Sequence, residues 1–586
     1  MSDQAAASAL NLESRSSEER GSSASESNND KEEACCSSRS CEAQTRDSSS
    51  TSVCSDEAGK DGLELLAEAA NNANATKLPM CQYGSKCYRR NPDHLKQFAH
   101  PAGHKPGVRR SESDQASSSK QGTSAKSARL SESFSQRQMS QEHLSQGGFF
   151  LTRVVGLSAE HNSGAVHLRD LLAFNASKLV ASAHFNFMID VEWLMKQYPT
   201  SCRSKPITLV VGETGGTDYT QVRADCCKFS NIRVSKARLY IPFGTHHTKM
   251  SILKYTDGLR IVIGTANLIE QDWSLKTQQL YVSPICPLMA GYDEPIDRTL
   301  GESSTNFKSD LLEYLDMYTK MQAKSRFVYG PETGVLKDWS REIMYHDLSG
   351  IELHLIGTVP GRFSGSEMEN WGHLKLRKVL LDLNCDQSWP IVAQCSSIGS
   401  LGSKPEAWLT GQFVVSMTAQ NGPPRTRPKF SLVYPTVSNV RQSLEGYAGG
   451  GSLPYRRETA NKQRYLNVIM QEWVSEKKGR SRCLPHVKSY TRVSPDGKKL
   501  AWYLLTSANL SKAAWGELQK NDSQLQCRSY ELGVLKAAAD GESLEADAFL
   551  PFDYPLKPYG TKDSPWLVDC NYEKEDMLGC TWKPSS

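Results

Sequence analysis

One short pattern occurs twice in this chain of 586 residues, and this repeat constrains the fold more than any other feature. The first copy, residues 247–267, reads His-Thr-Lys, an apolar run, an Asp-Gly turn, a second apolar run and Thr-Ala-Asn. The second copy, residues 486–509, reads His-Val-Lys, an apolar run, an Asp-Gly turn, a second apolar run and Ser-Ala-Asn. Asp-Gly between two strand-like runs is typical of a tight β-hairpin. The repeat therefore predicts two pseudo-symmetric half-domains that share one pocket.

The polar residues of both copies are candidate site residues. They are His247, Lys249 and Asn267 in the first copy, and His486, Lys488 and Asn509 in the second. A charged lysine is expensive to bury without a partner, so two lysines within apolar runs indicate a functional site rather than a packed core. Two imidazoles, two ammonium groups and two amides suit a tetrahedral anion, namely a phosphate ester under attack from one side.

Composition divides the chain into five parts. The first and third are rich in Ser and poor in aromatic residues, which predicts disorder. The predicted parts are a disordered region at 1–76, a compact Cys/His segment at 77–103, a disordered linker at 104–147, and half-domains at 148–349 and 350–586. Polar sequence near Asp347 marks the boundary between the two half-domains.

Within 148–586, apolar β-rich runs alternate with helical patterns. This alternation predicts an α/β fold in which helices cover both faces of each sheet, that is, two α/β/α sandwiches. The strand candidates are 206–212, 238–244, 250–255, 260–264 and 279–284, and the helix candidates are 191–198, 310–318 and 465–473.

Bulk properties exclude several classes of protein. The formal net charge is only +4, so any contact with nucleic acid must come from local basic patches. The polar, acidic start argues against a secretory signal, and no apolar run approaches the roughly 18 residues that a membrane span needs. The 16 cysteines lie singly in strand-like runs or in polar segments, which fits reduced intracellular thiols better than disulfides.

The twin motif resembles that of the phospholipase D superfamily, in which His-x-Lys is followed, after four residues, by Asp. This chain has Lys254 and Val493 at the expected Asp positions. Histidine, lysine and a later asparagine without that Asp resemble the tyrosyl-DNA phosphodiesterase branch. The resemblance extends over 148–586 and includes FGTHHTKM, CSSIGSLGS, EGYAGGGSLPY, LPHVKSY, LTSANLSKAAWG and RSYELGVL.

The resemblance implies a role for each polar residue. His247 would be the nucleophile that forms a phosphohistidine, and His486 the general acid that later activates water as a base. The lysines and asparagines would hold the non-bridging oxygens. Gln278 and Glu531 match polar groups that orient the histidines, although the sequence leaves open which side chain pairs with which ring. Nothing in the sequence offers a carboxylate cluster for magnesium, so we expect no cofactor for catalysis.

Further positions match the substrate groove of that family. Ser397, Ser400 and Ser452 match residues that contact phosphate, and small hydroxyls among glycines suit a groove that follows the DNA backbone without reading bases. Phe243 matches an aromatic that stacks on a base, and Trp566 matches an aromatic on the peptide side. Both aromatics have the alternative of being core residues.

The segment 77–103 carries a second motif. Its candidate zinc ligands are Cys81, Cys87, His94 and His100. Two thiolates and two imidazoles form a tetrahedral zinc set, and a segment this short seldom folds without such a metal. The pattern resembles the poly(ADP-ribose)-binding zinc finger, which implies that Tyr83, Tyr88 and Arg89 stack on adenine and contact phosphate. Residues 77–110 contain eight Lys or Arg and one Asp, which suits a polyanion. The alternative is a structural zinc site with a generic DNA-binding surface.

Together these resemblances imply a DNA-repair phosphodiesterase that hydrolyses the 3′-phosphotyrosyl bond left by topoisomerase I. The expected partners are single-stranded or double-stranded DNA with 3′-tyrosyl adducts, a topoisomerase I peptide, poly(ADP-ribose) and modified repair proteins. We expect a monomer in the nucleus without a membrane partner, and a cytoplasmic pool stays open. The alternatives are another phosphodiesterase or nuclease of the superfamily, or a poly(ADP-ribose)-reading scaffold without catalysis.

Overall fold

The computed structural model describes residues 143–584, except positions 214, 218 and 384 and the segments 291–296, 324–331, 420–427 and 540–541. The predicted disordered region 1–76, the Cys/His segment 77–103 and nearly all of the linker 104–147 therefore lie outside the described residues.

Two eight-stranded sheets and one three-stranded sheet form the framework. Strands of the first half are β1 Gly148–Leu151, β2 Leu179–Phe185, β3 Ile207–Gly212, β4 Ile232–Ala237, β5 Met250–Tyr255, β6 Gly258–Gly264, β7 Gln279–Val282 and β8 Cys286–Pro287. Strands of the second half are β9 His354–Thr358, β10 Gly361–Ser364, β11 Ile391–Gln394, β12 Phe430–Val433, β13 Met470–Gln471, β14 Ser489–Val493, β15 Lys499–Thr506, β16 Glu517–Gln519, β17 Gln524–Cys527, β18 Glu531–Ala537 and β19 Leu544–Glu545.

Helices connect the strands. They are α1 Leu168–Ala173, α2 Val191–Gln197, α3 Tyr219–Cys226, α4 Glu270–Ser274, α5 Phe307–Ala323, α6 Glu332–Met344, α7 Gly372–Leu381, α8 Val414–Met417, α9 Val437–Arg441, α10 Arg457–Lys462, α11 Lys512–Trp515 and α12 Ala546–Phe549. In the part of the chain that the structure describes, every helix is too short or too polar to cross a bilayer.

The two large sheets have the same topology. The first has the order β1-β7-β6-β5-β2-β3-β4 with β8 beside β6, and the second has the order β9-β18-β15-β14-β11-β12-β13 with β19 beside β15. Corresponding neighbours also run in the same sense, because β2, β3 and β4 are parallel, as are β11, β12 and β13, whereas the other pairs are antiparallel. The predicted pseudo-symmetric α/β halves are confirmed.

Both predicted hairpins are confirmed. Strands β5 and β6 are joined at Thr256-Asp257, and β14 and β15 are joined by residues 494–498, where Gly497 has a φ of 74°. Each His-x-Lys motif ends one residue before the first strand of its hairpin, and each Asn follows the second strand by three residues. Because the sheets are equivalent, the two motifs lie at equivalent places.

The strand predicted at 238–244 is wrong. Strand β4 ends at Ala237, and the following residues form a loop. The Glu213 carboxylate accepts hydrogen bonds from the Arg238 guanidinium (2.5 Å) and the Leu239 amide (3.1 Å), and Phe243 has a φ of 65°. The apolar residues of this segment predicted a strand paired with its neighbours. Instead, the contacts of Glu213 and the left-handed backbone of Phe243 give a loop.

The helix predicted at 465–473 is also wrong. A 3-10 turn at Arg464–Val468 is followed by β13, in which Met470 lies opposite Leu432 of β12. Leu466, Met470 and Trp473 are buried, so their helical spacing in the sequence reflects burial by tertiary pairing rather than a helix.

The buried imidazole of His184 makes the fold sensitive to acid. Its Nδ1 lies 2.8 Å from the Ser251 hydroxyl and its Nε2 lies 2.6 Å from the Tyr198 hydroxyl, and burial lowers the pKa of the ring to about 4. The unfolded chain takes up this proton near pH 6.5, whereas the folded chain resists until about pH 4. The contribution to stability is therefore complete above pH 6.5 and declines below it by about 1.4 kcal/mol per pH unit.

We expect the free energy of unfolding, measured by urea denaturation, to fall as the pH is lowered from 6.5 to 4. In His184→Gln the protein should be less stable at pH 7.5, because two buried hydrogen bonds change, but its pH slope should be shallower by about one proton. The exposed His143, changed to Gln, is the matched control and should keep the slope of the unaltered protein. An unaltered slope in His184→Gln would contradict this account.

Candidate active site

Backbone hydrogen bonds between the halves bring the two motifs together. The amide of His247 donates to the carbonyl of Tyr530 at 2.9 Å, and the amide of His486 donates to the carbonyl of Thr277 at 2.9 Å. Tyr530 directly precedes Glu531, and Thr277 directly precedes Gln278. Each histidine is consequently placed beside an orienting side chain from the other half.

The first histidine pairs with a carboxylate. His247 Nδ1 lies 2.9 Å from Glu531 Oε2, and the same oxygen accepts a hydrogen bond from the Ser507 hydroxyl at 2.5 Å. A carboxylate accepts and cannot donate when ionised, so it fixes the ring proton on Nδ1. The lone pair of His247 Nε2 is then free to act as a nucleophile.

The second histidine pairs with an amide, which answers the question that the sequence left open. His486 Nδ1 lies 3.0 Å from Gln278 Nε2, and the Thr265 hydroxyl donates to Gln278 Oε1 at 2.7 Å. The carboxylate of Asp272 stands behind this pair, with Oδ2 3.4 Å from His486 Nδ1. The two imidazoles therefore have chemically unequal partners, a carboxylate for His247 and an amide for His486.

The two lysines are almost fully buried. Lys249 Nζ donates to the carbonyl of His247 at 2.9 Å, and Lys488 Nζ donates to the carbonyl of His486 at 2.5 Å. Burial lowers the pKa of Lys249 to about 8 and holds the pKa of Lys488 well below its usual value. Burial also lowers the pKa of both histidines, although Glu531 acts to raise that of His247, whereas Lys488 and Lys249 lower that of His486 further. Burial thus disfavours the charged forms of these four groups, and an anion bound among them would favour those charged forms.

The asparagines are fixed by different partners. Asn509 Oδ1 accepts hydrogen bonds from the amides of Ser396 (3.1 Å) and Ser397 (3.0 Å). In the first half, the backbone amide and Nδ2 of Asn267 donate to Asp272 Oδ2 at 2.8 and 3.0 Å. The oxygen of Asn509 is thus engaged by the backbone, so its amide nitrogen is the group that can donate to an anion.

The predicted groove residues lie on several loops. Ser397 is half-buried beside Asn509, and Ser400 is exposed further along the same loop. The half-buried Ser452 donates its hydroxyl to the carbonyl of Gly449 at 2.8 Å. Phe243 is 88% exposed although it is apolar and has a positive φ. An exposed aromatic on a strained loop four residues before His247 suits stacking on a base.

The prediction that Trp566 contacts the peptide is wrong for this structure, because the side chain is fully buried. Its ring stacks on Tyr447 and Tyr572, and its Nε1 donates to the carbonyl of Gly450 at 2.9 Å. A Cβ at position 450 would lie 2.3 Å from the ring, so only glycine fits there. Trp566 therefore supports the turn at Gly446–Ser452 from behind.

Three residues of the site were missed in the sequence. The hydroxyls of Thr265 and Ser507 hold Gln278 and Glu531, and they begin Thr-Ala-Asn and Ser-Ala-Asn at the same place in both copies. That repeated hydroxyl was a usable signal. Asp272 left no such signal, because the equivalent position five residues after Asn509 is alanine.

The zinc and poly(ADP-ribose) candidates lie outside the described residues. They are Cys81, Cys87, His94 and His100, and Tyr83, Tyr88 and Arg89. Within the described ranges between 143 and 584, no cluster of three or more metal-ligating side chains occurs.

Two pseudo-symmetric sheets with a twin His-x-Lys pocket at their junction define a phosphodiesterase with the phospholipase D fold. Residues 148–560 match the family of tyrosyl-DNA phosphodiesterases, and residues 78–103 match the PBZ domain. The chain therefore belongs to the tyrosyl-DNA phosphodiesterase family, and it is a phosphodiester hydrolase.

Individual relatives agree with this assignment. The chain is 40% identical to a probable tyrosyl-DNA phosphodiesterase of Caenorhabditis elegans, over 75% of this chain and 93% of that protein. It is 36% identical to tyrosyl-DNA phosphodiesterase 1 of Drosophila melanogaster, over 72% of this chain and 73% of that protein. The crystal structure of a yeast tyrosyl-DNA phosphodiesterase shares the fold, with a TM-score of 0.53 and 20% identity over 72% of this chain and 99% of that one.

Binding of a tetrahedral anion should bring protons into the pocket. An anion between the histidines offsets the neighbouring cations and so raises the pKa of Lys488 and His486, which burial holds low. Calorimetric titration with sulfate at pH 7, in buffers of different ionisation enthalpy, should show net proton uptake. The uptake and the affinity should both fall in Lys488→Met, and a binding heat that does not depend on the buffer would contradict the argument.

Proposed function

We propose that the enzyme hydrolyses the bond between a DNA 3′ phosphate and a tyrosine side chain through a covalent phosphohistidine, and leaves a 3′ phosphate. The observation that carries this proposal is the inequality of the two histidines in one buried cationic pocket. His247 pairs with a carboxylate, and His486 pairs with an amide.

In the first step, Nε2 of His247 attacks phosphorus while the bond from phosphorus to the tyrosyl oxygen breaks. His486 donates a proton to the departing phenolate, so the leaving group departs as a neutral phenol. Lys249, Lys488 and the amide of Asn509 stabilise the charge that develops on the non-bridging oxygens. Asn267 completes this set from the first half.

In the second step, water attacks the phosphohistidine. His486, now neutral at Nε2, accepts the proton of the water as the new P–O bond forms and the P–N bond to His247 breaks. The products are a DNA 3′ phosphate and the free enzyme, with the proton back on His486. The same ring thus serves as acid and then as base.

The substrate spans both sides of the pocket. DNA would lie toward Phe243, Ser397 and Ser400, where an exposed ring and small hydroxyls suit stacking and phosphate contacts without base readout. The topoisomerase I peptide would lie toward the turn that carries Ser452. No step in this scheme needs a metal, because imidazole and ammonium groups supply the nucleophile, the proton and the charge.

The N-terminal region would recruit the enzyme to damaged DNA in the nucleus. Its match to the PBZ domain and its donor set support a zinc ion held by Cys81, Cys87, His94 and His100. Tyr83, Tyr88 and Arg89 would then contact adenine and phosphate of poly(ADP-ribose). The excess of Lys and Arg around these ligands suits such a polyanion.

The two histidine roles predict different failures. His247→Ala should abolish turnover and give no covalent adduct, because no phosphohistidine can form. His486→Asn should slow both steps but hydrolysis most, so a protein–DNA adduct should accumulate on denaturing gels with a 3′-phosphotyrosyl oligonucleotide. An adduct in His247→Ala instead would reverse the two assignments.

The zinc finger and the catalytic pocket should act separately. Cys87→Ala removes one of four zinc ligands, so zinc content and poly(ADP-ribose) binding should be lost, while turnover of a short phosphotyrosyl oligonucleotide stays near that of the unaltered enzyme. Arg89→Ala is the matched variant, and it should keep zinc but bind the polymer more weakly. EDTA should likewise remove the zinc and the binding of poly(ADP-ribose) without loss of turnover. Activity that chelation removes and magnesium restores would refute metal-independent catalysis.

A further inference from the structure

We infer that Asp272 is a positioning residue that holds the Nδ1 proton of His486, so that Nε2 of this ring is the atom that gives and takes the catalytic proton. This inference rests on the proposed role of His486 as acid and base. It adds a carboxylate to the acid half of the site.

The placement of Asp272 supports this role. Its side chain is buried in the first turn of α4, and Oδ2 lies 3.4 Å from His486 Nδ1. The same oxygen accepts two hydrogen bonds from Asn267, which fix the carboxylate in position. A buried carboxylate at this distance from an imidazole stabilises the protonated ring.

The amide of Gln278 is poorly suited to the same task. Gln278 presents its Nε2 to His486 Nδ1, while its Oε1 accepts a hydrogen bond from the Thr265 hydroxyl. An amide N–H can only donate, so this contact needs a lone pair on Nδ1 and is lost when Nδ1 carries a proton. If His486 is to act as a base in the second step, its proton must reside on Nδ1, and Asp272 supplies the acceptor for it.

The charges around His486 leave this role to Asp272. Lys488, Lys249, Lys276 and His247 face the ring, and each of them disfavours its protonation. Among the carboxylates nearby, Glu531 is engaged by His247, and Glu445 pairs with Lys276 at 2.6 Å. Asp272 is therefore the carboxylate left to stabilise a proton on His486 against these cations.

The carboxylate of Asp272 has no counterpart in the second half. Asp272 follows Asn267 by five residues, and the equivalent residue after Asn509 is Ala514, also at a short helix. The nucleophile already has the carboxylate of Glu531 on its ring, whereas the acid has the neutral Gln278. Each histidine thus has one carboxylate, although the two carboxylates come from different positions in the repeat.

The test uses two leaving groups. Release of the leaving group in a single turnover reports the first step alone, and it would be measured on oligonucleotides with a 3′-tyrosyl or a 3′-p-nitrophenyl ester. Tyrosinate is a strong base that needs a proton, whereas p-nitrophenolate leaves with little help. A residue that acts through the acid must therefore matter more for the tyrosyl ester.

For Asp272→Asn, which keeps the shape, we expect a loss of about 10- to 100-fold on the tyrosyl ester at pH 8 and a much smaller loss on the p-nitrophenyl ester. The rate of tyrosine release falls at high pH as the acid loses its proton, and this basic limb of the pH profile should lie about one to two pH units lower in the variant. Gln278→Met should shift the pH of this basic limb by a smaller amount. Asp310→Asn, in which the altered carboxylate pairs with Lys375, is the control and should leave both rates unchanged. Equal losses on the two esters, or a larger selective loss in Gln278→Met, would overturn the inference.

Two further variants separate the possible failures. Gln278→Glu in the Asp272→Asn background returns a carboxylate to the ring, so the basic limb should move back toward its original pH; a limb that stays displaced overturns the inference even if Asp272→Asn is less stable. His486→Asn tests the underlying role. A selective loss in His486→Asn without one in Asp272→Asn rejects only the role of Asp272, whereas equal losses on both esters in His486→Asn reject the proposed function itself.

Discussion

The site depends on the crossing of two chain segments between the halves. Each histidine joins by its backbone to the residue that precedes an orienting side chain of the other half. Backbone hydrogen bonds in a buried junction are costly to leave unmade, so this crossing fixes the distance between the two imidazoles. Backbone pairing thus sets the geometry of the pocket, and each half supplies the side chain that orients the histidine of the other half.

Within this symmetric frame, the proposed chemistry requires asymmetry. In that mechanism one ring attacks phosphorus and the other exchanges protons, yet the two histidines precede equivalent hairpins. The two halves differ at two corresponding positions. The first half has Gln278 where the second has Glu531, and it has Asp272 where the second has Ala514. In the proposed mechanism, a few different polar side chains behind the rings give two copies of one motif unequal roles.

Much of this could be predicted from the sequence, because the strongest signals were local and repeated. The two hairpins, the shared pocket and the α/β class followed from spacing and from Asp-Gly turns. The strand at 238–244 and the helix at 465–473 were wrong, because a carboxylate contact and a distant parallel strand decided those segments. The pairing of Gln278 and Glu531 could not be predicted, since it depends on how the halves cross. Trp566 was misplaced because a match to an aromatic of the family's groove looks the same in the sequence whether the ring faces the groove or packs behind it.

The burial of Trp566 has a consequence for how changes in this region would be recognised. Its ring acts as a wedge beneath Gly450, and residues 561–584, beyond the stretch that matches the family, supply both the wedge and the Asp576 carboxylate that accepts the amide of Tyr447 at 2.7 Å. A destabilising substitution at residues 561–584 would alter the turn at Gly446–Ser452, where we propose that the peptide lies, while both histidines stay in place. In assays such a variant would show altered substrate preference, although the cause would be lost packing around Trp566.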